Sequence, residues 1–331
     1  MWLLWMKPDS WKFFKQQQRK ENGGDRQMSK GRDVKSMNGF RRWGIGAMTM
    51  LILSGCSDGG VVQEKPATSS VIASALKGDL TYQDVLEKGE TIHNLAMTSD
   101  AAQVWVGTHA GLYSSAGGSL WGLLSPELAQ IDVVGWFVDP SDAHHMYVGG
   151  SEGVLRTADG GKSWTSSSKG LPEPANIRSF TGVRQGEKVR LFAFVTGEGI
   201  YQSTDKGDTW TLWQPMDQEV YAMDFDSNEN RLYVAAQFSL LYNEEGQWKT
   251  EAIPDAEQIY SLSLNRNTGV LAVATEKGVY EKNDGEWHLL EARSPEKLIV
   301  IASGGGDTKW VGIGESALIY KLNGNRWTKW N

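Results

Sequence analysis

From about Thr91 to the end of the chain, short runs of alternating apolar and polar residues follow one another. Clear examples are residues 92–98, 220–225 and 260–264. Alternation with a period of two is typical of β-strands that bury one face, and turns rich in Asp, Asn and Gly separate these runs. The pattern therefore predicts an all-β domain of short antiparallel strands.

A unit of about forty residues repeats within this region. Most units open their third strand with Gly and two apolar residues, and each unit closes on a Trp. The Trp residues are separated by 43, 46, 38, 39 and 40 positions: Trp121, Trp164, Trp210, Trp248, Trp287 and Trp327. A period near forty is typical of the four-stranded blade of a β-propeller. The sequence therefore predicts a propeller over residues 91–331 with six blades, or seven if residues 76–90 complete a further blade.

Two octets, residues 157–164 and 203–210, both read Ser/Thr-x-Asp-x-Gly-x-Ser/Thr-Trp. The hydroxyl and carboxylate can accept hydrogen bonds from the amides of a tight turn, and the Gly supplies a left-handed backbone position. The Trp then buries a large apolar surface. We expect a structural role for the octet residues Thr157, Asp159, Gly161, Trp164, Ser203, Asp205, Gly207 and Trp210.

The octets resemble the Asp-box, or BNR repeat, of sialidase-like propellers. The pattern over residues 148–157 is similar to photosystem-assembly-factor-like repeat proteins and to glycosyl hydrolase-like bacterial lipoproteins. This resemblance covers roughly residues 91–331, although the other four units depart from it; Ala116, for instance, stands where the first unit should have Asp. It implies that the octets lie on the edge opposite the ligand-binding face. A sialidase site would also need three Arg, a Tyr nucleophile with a Glu, and a Phe/Tyr-Arg-Ile-Pro motif. Because that motif is absent after Cys56, we expect no sialidase activity.

Five ionisable residues occupy nearly the same place in their units, between the predicted second and third strands. They are His109, Glu152, Glu198, Glu276 and Glu315. Such residues would surround the mouth of the central channel, where carboxylates can serve as general acid, base or metal ligand. The alternative is that they are solvated turn residues. His144 and His145 are adjacent and lie in a turn, so we expect no metal site there, and the sequence indicates no cofactor.

The N-terminal part carries a different pattern. Basic residues in 37–42 precede a short apolar run, 45–53, and Leu53-Ser54-Gly55-Cys56 follows. This resembles a bacterial lipoprotein signal, which implies cleavage before Cys56 and acylation of that residue, with palmitate among the acyl chains. We therefore expect a signal peptide over residues 37–55, and the lipidated Cys, a flexible tether and a lead-in over residues 56–90. Residues 1–36 add nothing to such a signal. We expect them to be a disordered extension or to lie upstream of a true start at Met37 or Met28.

The charge distribution and the cysteine content exclude some classes of function and of cross-link. Residues 1–55 contain eleven Lys or Arg and four Asp or Glu, whereas the remainder contains 22 and 36, a net charge of −14. An acidic domain is unsuited to nonspecific nucleic-acid binding, which needs a basic face. Cys56 is the only Cys, so no disulfide can form within the chain.

We therefore expect a lipid-anchored protein on the extracytoplasmic face of the cell membrane, or of the outer membrane in a Gram-negative source. It would bind an envelope protein or a glycan through its channel face, as a binding or assembly scaffold. The alternative is a glycoside hydrolase that acts on envelope or environmental glycans with a specificity other than that of a sialidase.

Overall fold

The protein forms a six-bladed β-propeller, which confirms the predicted fold class and blade number. The computed structural model describes residues 78–266 and 268–330. Its 24 described strands form six antiparallel four-stranded sheets, each built from four consecutive strands. The first three blades contain β1 (Ile92–Met97), β2 (Gln103–Thr108), β3 (Gly111–Ala116), β4 (Trp121–Leu123); β5 (Gly135–Val138), β6 (Met146–Gly150), β7 (Gly153–Thr157), β8 (Thr165–Ser166); and β9 (Ile177–Gln185), β10 (Lys188–Val195), β11 (Gly199–Ser203), β12 (Thr211–Pro215). The last three contain β13 (Val220–Asp226), β14 (Arg231–Ala236), β15 (Ser239–Glu244), β16 (Gln247–Glu251); β17 (Ile259–Leu264), β18 (Leu271–Thr275), β19 (Gly278–Asn283), β20 (Glu286–Leu289); and β21 (Leu298–Ser303), β22 (Thr308–Gly314), β23 (Ile319–Asn323), β24 (Arg326–Lys329).

The first strand of each blade is the innermost, and the first strands of blades 2 to 6 contact one another in order. The strand β21 of blade 6 also contacts β1 of blade 1, which closes the ring. The second strands β2, β6 and β18 are buried along their whole length because a neighbouring blade covers each face. The core therefore lies in the seams between blades. In the seam between blades 3 and 4, for example, the rings of Phe192 and Phe225 stack with centroids 5.5 Å apart.

Glycine at the start of the third strand has a backbone reason. Gly111, Gly153, Gly199 and Gly278 have φ values of +130°, +97°, +135° and +136°. Side chains other than hydrogen are disfavoured in this region, so the turn from the second to the third strand selects Gly. This explains the Gly that recurs in most sequence units.

Charged side chains join some blades across their seams. Between blades 2 and 3, Arg184 Nε and Nη2 donate to Asp139 Oδ1 and Oδ2 at 2.6 and 2.7 Å. Between blades 5 and 6, Lys309 lies 2.7 Å from the buried Glu281. Such pairs fix one blade against the next because both partners are held in a single geometry.

A short helix, α1 (Tyr82–Gly89), packs where the ring closes. Thr81 caps its N-terminus with a reciprocal hydrogen-bond pair to Asp84. The Tyr82 ring lies 5.3 Å from the ring of Trp121 in blade 1, and its hydroxyl donates to Ala317 O of blade 6 at 2.6 Å. The helix therefore contacts both sides of this seam. The segment before β1 thus contributes a helix rather than the strands of a seventh blade.

Candidate functional site on the channel face

Antiparallel pairing places the turns of each blade at two ends of the propeller. We call one end the channel face; it holds the turns between second and third strands and the connections between blades. The other end, the hairpin face, holds the turns between first and second and between third and fourth strands. The predicted site residues are divided between these two ends.

The first octet forms the turn between β7 and β8 on the hairpin face. Asp159 Oδ1 accepts hydrogen bonds from two successive turn amides at 3.0 Å, and Thr157 Oγ1 accepts from the Gly161 amide at 3.0 Å. The indole of Trp164 donates to Gly161 O at 3.2 Å. The polar side chains and the indole of this octet therefore form hydrogen bonds within their own turn.

The second octet repeats this arrangement between β11 and β12. Ser203 Oγ accepts from the Gly207 amide at 2.9 Å, and Asp205 Oδ1 accepts from a later turn amide at 2.9 Å. Here the Trp reaches the preceding blade, because Trp210 Nε1 donates to Ser167 O at 2.6 Å. This turn therefore also ties blade 3 to blade 2.

Hydrogen bonding keeps both octet carboxylates ionised. Bonds from the hydroxyl and amide of Ser163, and from Thr157, hold the pKa of Asp159 far below its usual range. Burial raises the pKa of Asp205, but bonds from Thr209 and Ser203 outweigh that effect and lower it. Neither carboxyl holds a proton near neutral pH, so neither is suited to general-acid chemistry.

The five candidate turn residues all lie on the channel face, but in different surroundings. Glu276 accepts hydrogen bonds at 2.9 Å from two backbone amides just before β17. Glu315 pairs with Lys297 at 3.1 Å. Glu152 and Glu198 are exposed. His109 is the candidate whose turn brings it against other potential ligand side chains.

A second set of residues enters this face from the innermost strands. In five blades, the pairing between first and second strands shifts at the same place, so that one first-strand residue stands outside the register of paired residues. These residues are His93, Arg178, Tyr221, Tyr260 and Ile299. Such β-bulges bend a strand locally and redirect a side chain, and they are common at rims and near binding sites. Sequence reasoning missed this set because alternation does not reveal which residue is bulged.

One bulged residue, His93, meets two ionisable groups between blades 1 and 2. His93 Nε2 lies 2.8 Å from Asp132 Oδ1, and His109 Nδ1 lies 3.1 Å from the same oxygen. The two nitrogens are 3.3 Å apart. The side chains of His93 and Asp132 are 15% and 10% exposed, and that of His109 is 45% exposed. We call these three residues the His–His–Asp cluster; it is closed on the protein side and open to solvent at His109.

Three different elements bring the cluster together. His93 is the second residue of β1, His109 occupies the turn after β2, and Asp132 lies in the connection that leads to β5. Thr108 fixes the turn, because its hydroxyl donates to Gly111 O and accepts from an amide, each at 3.0 Å. Thr108 O also accepts from the amide of the residue after Asp132 at 2.9 Å, which joins the turn to the connection.

Opposing effects set the charge of the cluster carboxylate. Burial raises the pKa of Asp132, but the hydrogen bond and positive charge of His93, the charge of His109 and a bond from Ser151 outweigh it. The net result is a pKa below the usual value. Asp132 is therefore a buried anion that two imidazoles and a hydroxyl stabilise.

The sequence had singled out His109 but not its two partners. His93 could have been noticed as a polar residue near the start of an innermost strand, and Asp132 as a carboxylate just before two Val residues. The sequence indicated no metal site, and this stays a prediction. The cluster is relevant to it, because its three potential ligand atoms lie within 4.8 Å of one another. The other neighbouring His pair, His144 and His145, lies on the hairpin face against Asp142.

Comparison with known proteins reveals the fold only. No family model and no curated protein matches the sequence. Among solved structures, the GH74 xyloglucanase from Xanthomonas campestris is similar with a TM-score of 0.54 and 15% identity, covering 76% of this chain and 48% of that chain. The GH74 enzyme of Niastella koreensis gives 0.51 and 15%, covering 72% and 47%, and a streptogramin B lyase gives 0.52 and 15%, covering 73% and 82%. The chain thus spans about half the length of these two GH74 enzymes. At such identities the likeness establishes a β-propeller.

The predicted lipoprotein signal and Cys56 lie outside the described residues. Within the described part of the chain, no helix combines the length and apolar character needed to cross a bilayer.

Proposed function

We propose that this protein is an extracytoplasmic scaffold, anchored to a membrane by acylation of Cys56, that binds a protein or glycan of the cell envelope with its channel face. The observation that carries the proposal is the set of bulged residues. In five of the six blades, the same structural position holds an imidazole, a guanidinium, a phenol or an aliphatic side chain. Tyr260 and Ile299 are buried there, whereas His93, Arg178 and Tyr221 are partly exposed. Varied chemistry on a repeated backbone is what a recognition surface requires.

The side chains on this face suit binding. Tyr and Arg contribute strongly to interfaces because they combine apolar area with hydrogen-bonding groups. Burial raises the pKa of Tyr221, which keeps its hydroxyl protonated as a donor. Phe238, in the turn between β14 and β15, is 70% exposed on the same face. An exposed aromatic ring can stack on a sugar or insert into a partner protein.

The alternative is a glycoside hydrolase, and the likeness to GH74 enzymes supports it at the level of fold alone. Glycosidases use two carboxyl groups about 5–10 Å apart on either side of the bond to be cleaved. Here Glu276 is bonded to backbone amides and Glu315 is paired with Lys297. Two of the candidate carboxylates are thus engaged, and the other two, Glu152 and Glu198, are exposed to solvent rather than enclosed in a pocket. Binding is therefore the better supported function.

The sequence supports the anchor and the location. The basic and apolar segments before Cys56 resemble a lipoprotein signal, and the octets resemble those of Asp-box lipoproteins. In cells, replacement of Cys56 by Ala should release the protein from the membrane fraction and abolish labelling with palmitate. Unchanged membrane association of the Cys56→Ala variant would refute the anchor.

Recognition can be tested by cross-linking cells that express the full chain and identifying the partners recovered with it. We expect Tyr221→Ala and Phe238→Ala to remove a specific envelope partner. Leu120→Ala, in the hairpin-face turn between β3 and β4 and 54% exposed, is the matched control and should retain it. Equal recovery with all three variants would refute recognition by the channel face.

The hydrolase alternative has its own measurement. The wild-type protein and a Glu152→Gln, Glu198→Gln double variant would be incubated with a panel of envelope polysaccharides, and released reducing ends would be measured. Release by the wild type that is lost in the variant would establish the hydrolase.

A further inference from the structure

We propose that the His–His–Asp cluster is a binding site for a divalent transition-metal ion of the zinc type. The site lies at the rim of the channel face between blades 1 and 2. This proposal is separate from the scaffold function, because neither the geometry of the site nor the binding experiment involves a partner or a substrate.

The distances in the cluster match those around a metal ion. Ligand atoms of a tetrahedral zinc ion lie about 3.3 Å apart, since each is about 2.0–2.1 Å from the ion. In the cluster, the separations are 2.8, 3.1 and 3.3 Å. The three atoms can therefore contact one ion after a shift of a few tenths of an ångström.

The donor set indicates which ions fit. Two imidazole nitrogens with one carboxylate oxygen suit Zn²⁺ and its transition-metal neighbours, whereas Mg²⁺ and Ca²⁺ prefer oxygen ligands. The Asp132 side chain is only 10% exposed, so a carboxylate there would add charge attraction to coordination. Because His109 is 45% exposed, one side of the ion would remain open for water or for a ligand of the channel face.

The surroundings hold the ligands in place. The connection that carries Asp132 is joined to the turn that carries His109, because the amide of the residue after Asp132 donates to Thr108 O at 2.9 Å. Gly150 allows the connection to pass close by, because a Cβ at this position would lie 1.6 Å from Asp132 O. The segment that carries the carboxylate is thus fixed by a hydrogen bond on one side and by backbone packing on the other.

The repeat provides an internal comparison. In blade 5, the first turn residue after the second strand is Glu276, which accepts bonds from backbone amides before the innermost strand. In blade 1 the corresponding residue is His109, and it faces His93 and Asp132 instead. Blade 1 therefore replaces a structural contact with three metal-ligating groups.

The test measures Zn²⁺ binding to the full-length protein, produced without a polyhistidine tag, by calorimetry at neutral pH. The visible spectrum of bound Co²⁺ reports the coordination. We expect one Zn²⁺ per chain, not displaced by millimolar Mg²⁺. Loss of an outer-shell partner typically costs 10–100-fold in affinity, so His93→Ala and His109→Ala should each weaken binding at least about 100-fold.

The control is a His144→Ala, His145→Ala double variant, which removes the other neighbouring His pair and should bind Zn²⁺ like the wild type. His109 is the most exposed ligand, so His109→Ala should keep the wild-type melting temperature without metal and lose the zinc-induced rise. Absence of stoichiometric Zn²⁺ binding by the wild type would overturn the proposal, as would unchanged binding by a folded His109→Ala variant. Either result leaves the recognition test unaffected, because partner recovery is measured separately.

Discussion

Replacing Arg184 by Met should destabilise the propeller strongly, because it leaves Asp139 as a buried charge without its cation. The two side chains join blades 2 and 3 through parallel hydrogen bonds of 2.6 and 2.7 Å, and they are only 11% and 5% exposed. Asp139 keeps its bonds from the amide and hydroxyl of Ser141. These neutral donors cannot replace the guanidinium charge.

The expected loss follows from this burial. Removing one partner of a buried ion pair typically costs about 3–5 kcal/mol of the free energy of unfolding. For a domain of this size, that loss corresponds to a fall of roughly 6–20 °C in melting temperature. The seam offers a matched control in Arg156 and Asp208, which also join blades 2 and 3 but are 37% and 63% exposed. Arg156→Met should cost less than about 1 kcal/mol, because exposed pairs contribute little.

The assay is equilibrium unfolding in urea for the wild type, Arg184→Met, Arg156→Met and an Asp139→Asn, Arg184→Met double variant. The double variant should recover part of the loss, because no buried charge remains. Burial raises the pKa of Asp139, but the bonds from Arg184 and Ser141 outweigh it and lower the pKa. The ion pair therefore stabilises the protein above the unfolded pKa of about 3.9, and its effect is lost as pH falls through the lower folded pKa.

The difference between wild type and Arg184→Met should accordingly shrink as the pH falls below about 4. Equal losses for Arg184→Met and Arg156→Met at neutral pH would refute the reasoning, because burial would then have no influence on the pair.

Three further predictions concern the ring closure, an octet and the cluster. Tyr82→Phe removes the hydrogen bond to Ala317 O and should lower the free energy of unfolding by about 1 kcal/mol. Amide hydrogen exchange should become faster in blades 1 and 6, and an equal change in all blades would contradict this prediction. Asp159 has a lowered pKa, so the wild type should lose stability as pH falls from about 4 towards that pKa; thermal unfolding from pH 6 to acid should show a smaller loss for Asp159→Asn, and equal losses would argue against it. Gly150→Ala should displace Asp132, cost about 1–3 kcal/mol in urea unfolding and weaken Zn²⁺ binding, whereas unaltered stability would mean that the close approach is relieved easily.

Most of the fold could be predicted because its signals are local. The alternation of residues marks the strands, and the positive φ at Gly111, Gly153, Gly199 and Gly278 explains the Gly that marks the third strands. The marker Trp at a period near forty predicted six blades. The residues from 78 to 90 were the exception, because their helix packs against the seam between blades 1 and 6, and that seam is formed by residues more than two hundred positions apart.

The candidate site was predicted only in part. Equivalent positions in the repeat drew attention to His109, because turns between second and third strands share one face. The same reasoning grouped it with four Glu residues, of which Glu276 and Glu315 make contacts within their own blades. Repeat equivalence identifies a face, but it does not identify which side chains on that face meet.

The strand pattern, the turns, the repeat of about forty residues and the acidic character of the domain can be deduced from the sequence, since they depend on residues close together in the chain or on composition. The choice between six and seven blades, and the meeting of His93 and Asp132 with His109, depended on tertiary packing. That meeting requires a bulge in β1, the curvature that sets blade 2 beside blade 1, and the close approach at Gly150. These features arise when whole sheets pack against each other, so a pattern read along the chain does not contain them.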